Sequence, residues 1–266
     1  MSRLRAPYWM ARHAVARATG PIRSEERLTF MVGYRSGEHP TILRKCQSDL
    51  EVWREVFIER DYDFAYEEVL PEIDVIIDVG ANVGFAATYF QMRFPHARIV
   101  TVEPLAENVR LIRANADAIG ASWGIEEGAI GAAAGRAECY ASEYWNTASV
   151  VADIGEYRHS GPYRLEALLA PCKRTVPVLT VPQLLEKHEI DGVSIMKMDI
   201  EGAEVAVLMD GGSWLHRVGI LIVELHTKYF DSEPVRRYLY AAGFEEKEHR
   251  GSCAVFINRG VPGCGY

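Results

Sequence analysis

The sequence predicts an α/β fold, a mostly parallel sheet with helices on both faces and a small N-terminal layer of helix and hairpin, on three observations. From Asp74 onward, short β-branched runs alternate with stretches of helical periodicity. The runs "DVIIDVG", "ARIVTVEP", "VSIMKMDI" and "GILIVELH" are nearly continuously apolar, the pattern of parallel strands covered on both sides. Each run ends in residues that a strand interior disfavours. Right-handed crossovers bring those ends to one sheet edge, where open α/β sheets bind ligands.

Taken in order, the elements begin with "MSRLRAPYWMARHAVARATGPIR", which carries five arginines and no acid. It is read as a surface helix, with contact to a membrane surface or to an acidic partner subunit as the other readings. It has no uninterrupted apolar stretch of the kind a secretory signal needs. "RLTFMVGYRSGEHPTILRK" reads as two strands about a glycine-containing turn. "SDLEVWREVFIERDYDF" reads as a helix capped by Ser48 or Asp49, with Leu50, Val52, Trp53, Val56 and Phe57 along one face. This layer, residues 1–70, precedes a core expected over 71–260 and a tail at 261–266.

In the core, "DVIIDVG" is the first strand and "GFAATYFQMRF" a helix closed by Pro95. "ARIVTVEP" is the second strand, followed by the helix "AENVRLIRANADAIG" with its terminal glycine. "SWGIEEGAIG" is a weaker third strand. Residues 131–177 read as irregular, with strand and loop in "GRAECYASEYWNTASV". Then come helix "VPQLLEKHEI", strand "VSIMKMDI", helix "GAEVAVLMDGGSWLHR", strand "GILIVELH", helix "EPVRRYLYAAGF" and a closing hairpin, "EEKEHRGSCAVFIN".

Composition narrows the function. The formal net charge of −8 over 266 residues argues against a general nucleic-acid binder. Five scattered cysteines, Cys46, Cys139, Cys172, Cys253 and Cys264, form no CxxC pair. They support neither a disulfide framework nor a zinc site, so a reducing cytoplasm is expected. No apolar run approaches the roughly 20 residues of a membrane span.

Asp78, Gly80, Ala81, Asn82 and Gly84 occupy the turn from the first strand to the first helix, in "DVGANVG". Gly80 permits a tight turn and close backbone approach to a ligand, and Gly84 lets the helix lie near the sheet. GxGxxG is absent, and no lysine follows to make a phosphate loop. A charged, amino-acid-like ligand fits better, because Asp78 can accept charge-assisted bonds from an ammonium group. Glu103 ends the second strand 25 positions later, near the offset at which an acid clasps ribose hydroxyls. An ammonium at one tip and a ribose at the next describe S-adenosylmethionine. Leu105 is placed to flank the adenine or else to fill the core. Gly128, Ala129 and Ile130 end the third strand, either as backbone contacts to the adenine or as a plain strand end.

These motifs, with "VEPLAENVRLIRAN", "GAIGAAAG", "MKMDIEGAE" and "LIVELH", resemble the FkbM-type S-adenosylmethionine-dependent methyltransferases from about Asp49 to Asn258. The resemblance implies a seven-stranded class I methyltransferase (Rossmann-like) sheet. It also implies O-methylation of a hydroxyl on a sugar, polyketide or other secondary metabolite or glycan. The basic opening lies outside the shared region and residues 131–176 are not diagnostic, so the acceptor does not transfer from relatives.

The chemistry is expected where "MKMDIEGAE" and "GILIVELH" end. Alternation puts Lys197 and Asp199 on one side of their strand and Met196 and Met198 on the other. Asp199, an acid in an apolar strand, needs a partner or a use. Glu204 is accounted for by the positive end of the helix dipole. His226, beside Glu224 and opposite Asp199, is the candidate general base, since an ordinary histidine titrates near 6.5. Asp199, Glu201 and Glu224 are alternatively hard-oxygen ligands for Mg²⁺.

The expected function is an S-adenosylmethionine-dependent O-methyltransferase acting on a small hydroxylated acceptor in natural-product or glycan tailoring. N- or C-methylation, a non-catalytic cofactor-binding scaffold and a nicotinamide oxidoreductase are the alternatives. No nucleic-acid partner is expected, and a homo-oligomer is left open. The N-terminal layer and Tyr140 to Tyr163 are the segments expected to shape the acceptor pocket.

Overall fold

The computed structural model describes residues 11–12, 26–35, 37–141, 148–151, 172–226 and 231–261. The basic opening lies outside them except for β1 (Ala11–Arg12), which pairs with β2 (Arg27–Tyr34) instead of continuing a helix. β2 forms the expected hairpin with β3 (Gly37–Arg44), Phe30 lying opposite Thr41. Next comes α1 (Gln47–Arg54), which ends in a π-helical turn at Glu55–Glu59. Its N-cap is Cys46, with no side-chain cap. Asp49 lies inside the helix and receives Arg44 through its backbone N (2.8 Å), Nε (2.9 Å) and Nη2 (2.6 Å). The expected cap is therefore an ion pair that fastens the hairpin to α1.

The core follows as β4 (Val75–Val79), α2 (Phe85–Arg93), β5 (Arg98–Glu103), α3 (Ala106–Ala118) and β6 (Gly124–Glu127). After a second small sheet come α4 (Val181–Lys187), β11 (Val193–Met198), α5 (Glu204–Met209), β12 (Val218–Glu224), α6 (Glu233–Ala241), β13 (Phe244–Arg250) and β14 (Cys253–Asn258). The main sheet has the order β13-β14-β12-β11-β4-β5-β6. β14 runs antiparallel to both of its neighbours, while the other neighbouring strands run parallel. This is the class I methyltransferase arrangement. The chain builds outward from β4 to β6, then returns to lay β11 against the other side of β4. That reversal is the switch point at which such sheets bind ligands.

Strand alternation divides the core in two. Ile76, Ile195, Ile220 and Ile222 join one apolar cluster with α2, α3 and the N-terminal layer. Ile77, Met196, Met198, Leu221 and Val223 join the other, with α4, α5 and α6. α2 is buried nearly all round, from Phe85 through Phe90, because it is covered by the sheet and by the N-terminal layer. Trp53, Phe57 and Phe85 form an aromatic chain with centroid separations of 5.6 and 5.9 Å. Asn115 on α3 fastens the hairpin in place. Its Oδ1 accepts from Ile42 N at 2.6 Å, and its Nδ2 donates to Ile42 O at 3.0 Å and to Val83 O at 2.9 Å.

Two elements differ from expectation. The stretch read as irregular carries a mixed sheet, in which β10 (Cys172–Leu179) pairs antiparallel with β8 (Gly135–Ala141) and parallel with the strand on its other side. β9 (Ala148–Val151) extends one edge and β7 (Ala129–Ile130) the other. The pairing of β8 with β10 spans a long intervening segment, so no local pattern announces it; residues 142–147 and 152–171, which include "SEYWNT", lie outside the described residues. The helix expected from Gly202 to Arg217 stops at Met209 and continues as 3₁₀ turns at Gly211–Ser213 and Leu215–Arg217. Consecutive glycines at 211 and 212 weaken the helix there.

Candidate active site

The switch point is closed by a backbone contact. Gly80 has φ +76°, and a Cβ built on it would lie 1.8 Å from the carbonyl oxygen of Asp199. No side chain fits between the loops after β4 and β11. The close approach expected to serve a ligand is therefore made to Asp199. Beneath this contact, β4 and β11 place Asp78 opposite Lys197. Both are buried. Lys197 Nζ lies 3.2 Å from Asp78 Oδ1 and 3.6 Å from Asp199 Oδ2, and it donates to Gly80 O at 2.6 Å. Burial alone would lower the lysine; Asp78 and Asp199 outweigh it and hold the ammonium charged. Asp78, expected as a ligand-gripping tip, stands here as the counter-charge of Lys197, beneath the residues that line the cleft.

The cleft, of about 580 Å³, lies between the tips of β4 and β5 and the loop after β11. Glu103 forms its floor and is 4 % exposed. One oxygen accepts from Asn82 N at 2.9 Å; the other accepts from Leu105 N and from Asn108 Nδ2, each at 3.0 Å. Burial pushes its carboxyl up to about 7, against the pull of those three bonds. Asn82, at φ +51°, and Asn108 also line the cleft, and the Oδ1 atom of each is buried without a hydrogen-bond partner. Buried acceptors are seldom left unsatisfied, so these two atoms await a donor.

The other expected cofactor residues divide. Gly128 and Ala129 line the cleft. Gly128 N donates to Glu103 O at 3.0 Å, but Ala129 opens β7 of the small sheet instead of ending the third strand. Leu105 is fully buried and packs with Ala129, Cys139 and Val176, away from the cleft. Ala81 is buried and anchors the loop through its N–H to Val102 O at 3.0 Å. Gly84, at φ +85°, faces Ile112 and Trp123, so what it admits is the neighbouring helix α3 and not the sheet.

The acid–histidine cluster lies beside the cleft, which Asp199 and Glu201 also line. His226 is buried. Its Nδ1 lies 3.0 Å from Glu204 Oε1, and its Nε2 lies 3.3 Å from Glu201, 3.7 Å from Glu224 and 3.9 Å from Asp199. Burial would lower this imidazole, but the bonds to Glu201 and Glu204 prevail and push it up to about 11. In this arrangement His226 is an imidazolium, which corrects the expectation of a base titrating near neutrality. Glu204, fully buried, also accepts from Ile200 N at 2.8 Å and Gly202 N at 2.9 Å. It is therefore the anchor of the loop and of His226, not a solvated helix-end charge. Glu201 holds φ +54° in the same loop, an uncommon backbone state for a side chain of this size.

A family model described as a methyltransferase FkbM domain matches residues 78–246, well over half the chain. The chain belongs to this family. Among curated relatives, the AMB antimetabolite synthetase AmbE of Pseudomonas aeruginosa is 26 % identical over 66 % of the chain. The methyltransferase sdnD of Sordaria araneosa is 23 % identical over 59 % of it. The matched regions span 9 % of AmbE and 66 % of sdnD. Among solved structures, the FkbM methyltransferase of Methylobacillus flagellatus aligns with a TM-score of 0.44 at 14 % identity, over 70 % of this chain and 43 % of that one. Among the described residues, no helix is long and apolar enough to cross a membrane.

Sequence reasoning missed Lys197, Asn108 and Glu204 as parts of this candidate site. The signal for Lys197 was present, since a lysine in an apolar strand demands a partner as strongly as an acid does. Asn108 carried none, because an asparagine on a helix is ordinarily a surface residue.

Proposed function

We propose that the protein is an S-adenosylmethionine-dependent O-methyltransferase acting on a hydroxyl of a small metabolite or sugar moiety. One observation carries this reading: the described residues lining the cleft include three acids and no basic side chain. Such a wall repels nucleotide phosphates and suits a cationic ligand. Among the polar atoms left to a ligand are the Oδ1 acceptors of Asn82 and Asn108, which suit the ribose hydroxyls, adenine amino and ammonium groups of S-adenosylmethionine as donors. When bound, the cofactor supplies a methyl group on a positively charged sulfur.

Glu103 holds the ribose, with the Asn82 and Asn108 oxygens as further acceptors, and the backbone at Gly128 and Ala129 borders the adenine. Asp199 and Glu201 set a negative field at the opposite end and orient the acceptor hydroxyl, which is chiefly what an in-line displacement requires. Glu201 and Glu204 favour the imidazolium form of His226, so the surrounding carboxylates are the better acceptors for the hydroxyl proton.

The test is transfer from methyl-¹³C-labelled cofactor to a panel of diols, hydroxy acids and sugars, read by NMR. A methoxy carbon supports the proposal. A methyl on nitrogen or carbon replaces it with the corresponding transferase. Cofactor binding without any transfer points to a scaffold, and preferential binding of NAD points to an oxidoreductase.

A further inference from the structure

We propose that Asp199, Glu224 and His226 form a site for a first-row divalent cation that chelates an acceptor bearing two adjacent oxygens, a vicinal diol or an α-hydroxy carbonyl compound. One potential ligand atom from each residue lies within 4.8 Å of the other two. Cis ligands on an octahedral ion stand about 3 Å apart, so small side-chain rotations close the site. The all-oxygen set expected from sequence, Asp199, Glu201 and Glu224, points to Mg²⁺; an imidazole in place of Glu201 shifts the preference toward Mn²⁺ and its neighbours.

The cluster is more than a group of acids, because its histidine is built for ligation. His226 is buried, and Glu204 fixes its Nδ1 at 3.0 Å. Glu204 is itself locked by the N–H groups of Ile200 and Gly202. A carboxylate that orients one ring nitrogen and aims the other at oxygen ligands is the usual support behind a metal-bound histidine. On metal binding, Nε2 gives up any proton it carries to solvent and coordinates through that lone pair.

The ion's place in the reaction rests on the proposed function, since Asp199 joins the cluster to the cleft. A bound cation raises the acidity of a coordinated hydroxyl and fixes its direction. Two adjacent oxygens on the acceptor would complete the sites that three protein ligands leave open.

The binding test needs neither cofactor nor acceptor. Chelator-stripped protein is titrated with Mn²⁺, and the loss of the free-ion EPR signal is followed. One Mn²⁺ per chain is expected. Glu224→Gln and Asp199→Asn should each weaken it at least tenfold, and Glu204→Gln, which supports His226 and the loop beside it without being a ligand, by 10- to 100-fold. Glu126→Gln, an acid outside the cleft paired with Lys187 and His188, should leave it unchanged. No uptake by folded wild-type protein at millimolar Mn²⁺, or undiminished uptake in both ligand variants, overturns the site. Should either ligand variant fail to fold by circular dichroism, the other decides. Cofactor affinity, measured separately by calorimetry, distinguishes the two proposals: Mn²⁺ uptake without S-adenosylmethionine binding removes the proposed function and leaves the metal site standing.

Discussion

Lys197→Met separates the structural and ligand roles of the switch point. It removes an ammonium that lies 3.2 Å from Asp78 Oδ1 and donates to the Gly80 carbonyl at 2.6 Å. Asp78 is fully buried, so its charge is left without compensation. Removing one partner of a buried pair costs about 3–5 kcal/mol. A chain of this size loses about 2–4 °C per kcal/mol, so melting should fall by roughly 6–20 °C. Adding Asp78→Asn removes the stranded charge and should recover most of that loss. The assay is urea unfolding of wild type, both single variants and the double variant, analysed as a thermodynamic cycle. Cofactor affinity, measured by calorimetry, should stay depressed in the double variant, because nothing then ties Gly80 and Asp199 across the seam. A single-variant loss under about 1 kcal/mol, the range of exposed pairs, refutes the reasoning. So does strict additivity of the two substitutions.

Three further outcomes are expected. Gly80→Ala forces a Cβ to within 1.8 Å of Asp199 O at φ +76°, so it should destabilise by more than about 3 kcal/mol or abolish soluble expression; near-wild-type melting would contradict the close contact. Cofactor affinity should rise about tenfold per pH unit up to about 7 and then level off, because ionised Glu103 is the better acceptor and burial pushes its carboxyl to about 7. Since that value lies above the ordinary 4.5, the same group favours folding most at low pH and loses that contribution as pH rises through 7. A flat calorimetric profile, or an unaltered slope in Glu103→Gln, would show that Glu103 does not hold the ligand. Asn115→Ala removes all three bonds between α3, the hairpin and the glycine loop and should cost about 2–4 kcal/mol. Hydrogen exchange should show faster exchange concentrated at β3, and protection unchanged there would refute the stapling role.

The strands and their ends were legible in the sequence because burial on both faces leaves a continuous apolar signature that nothing else in the chain imitates. Glu103 and Asn82 were singled out for that reason: one ends β5 and the other follows the end of β4 by three positions. What stayed hidden was pairing across the sheet. Asp78 and Lys197 become partners only through the register of β4 on β11, and until that register is known each is merely an ion without a neighbour. Glu204 was misjudged for a related cause. Its place in the first turn of a helix suffices to explain an acid, so nothing local called for His226 beneath it. Leu105 was open between adenine and core for another reason: the small sheet that buries it is assembled from strands far apart in the chain. The π-helical turn after α1 had no sequence signal that we recognise.

The lysine that crosses from β11 to the carbonyl of Gly80 also limits how this protein can be taken apart. The strands β4 to β6 precede β11 in the chain and look self-sufficient, yet their glycine loop is held from below by a residue synthesised much later. A ribosome that had completed only β4 to β6 would have made a turn with an acid trapped under it and no counter-ion in reach. Grafting or truncation that respects the apparent halves would therefore sever the tie on which the first half depends.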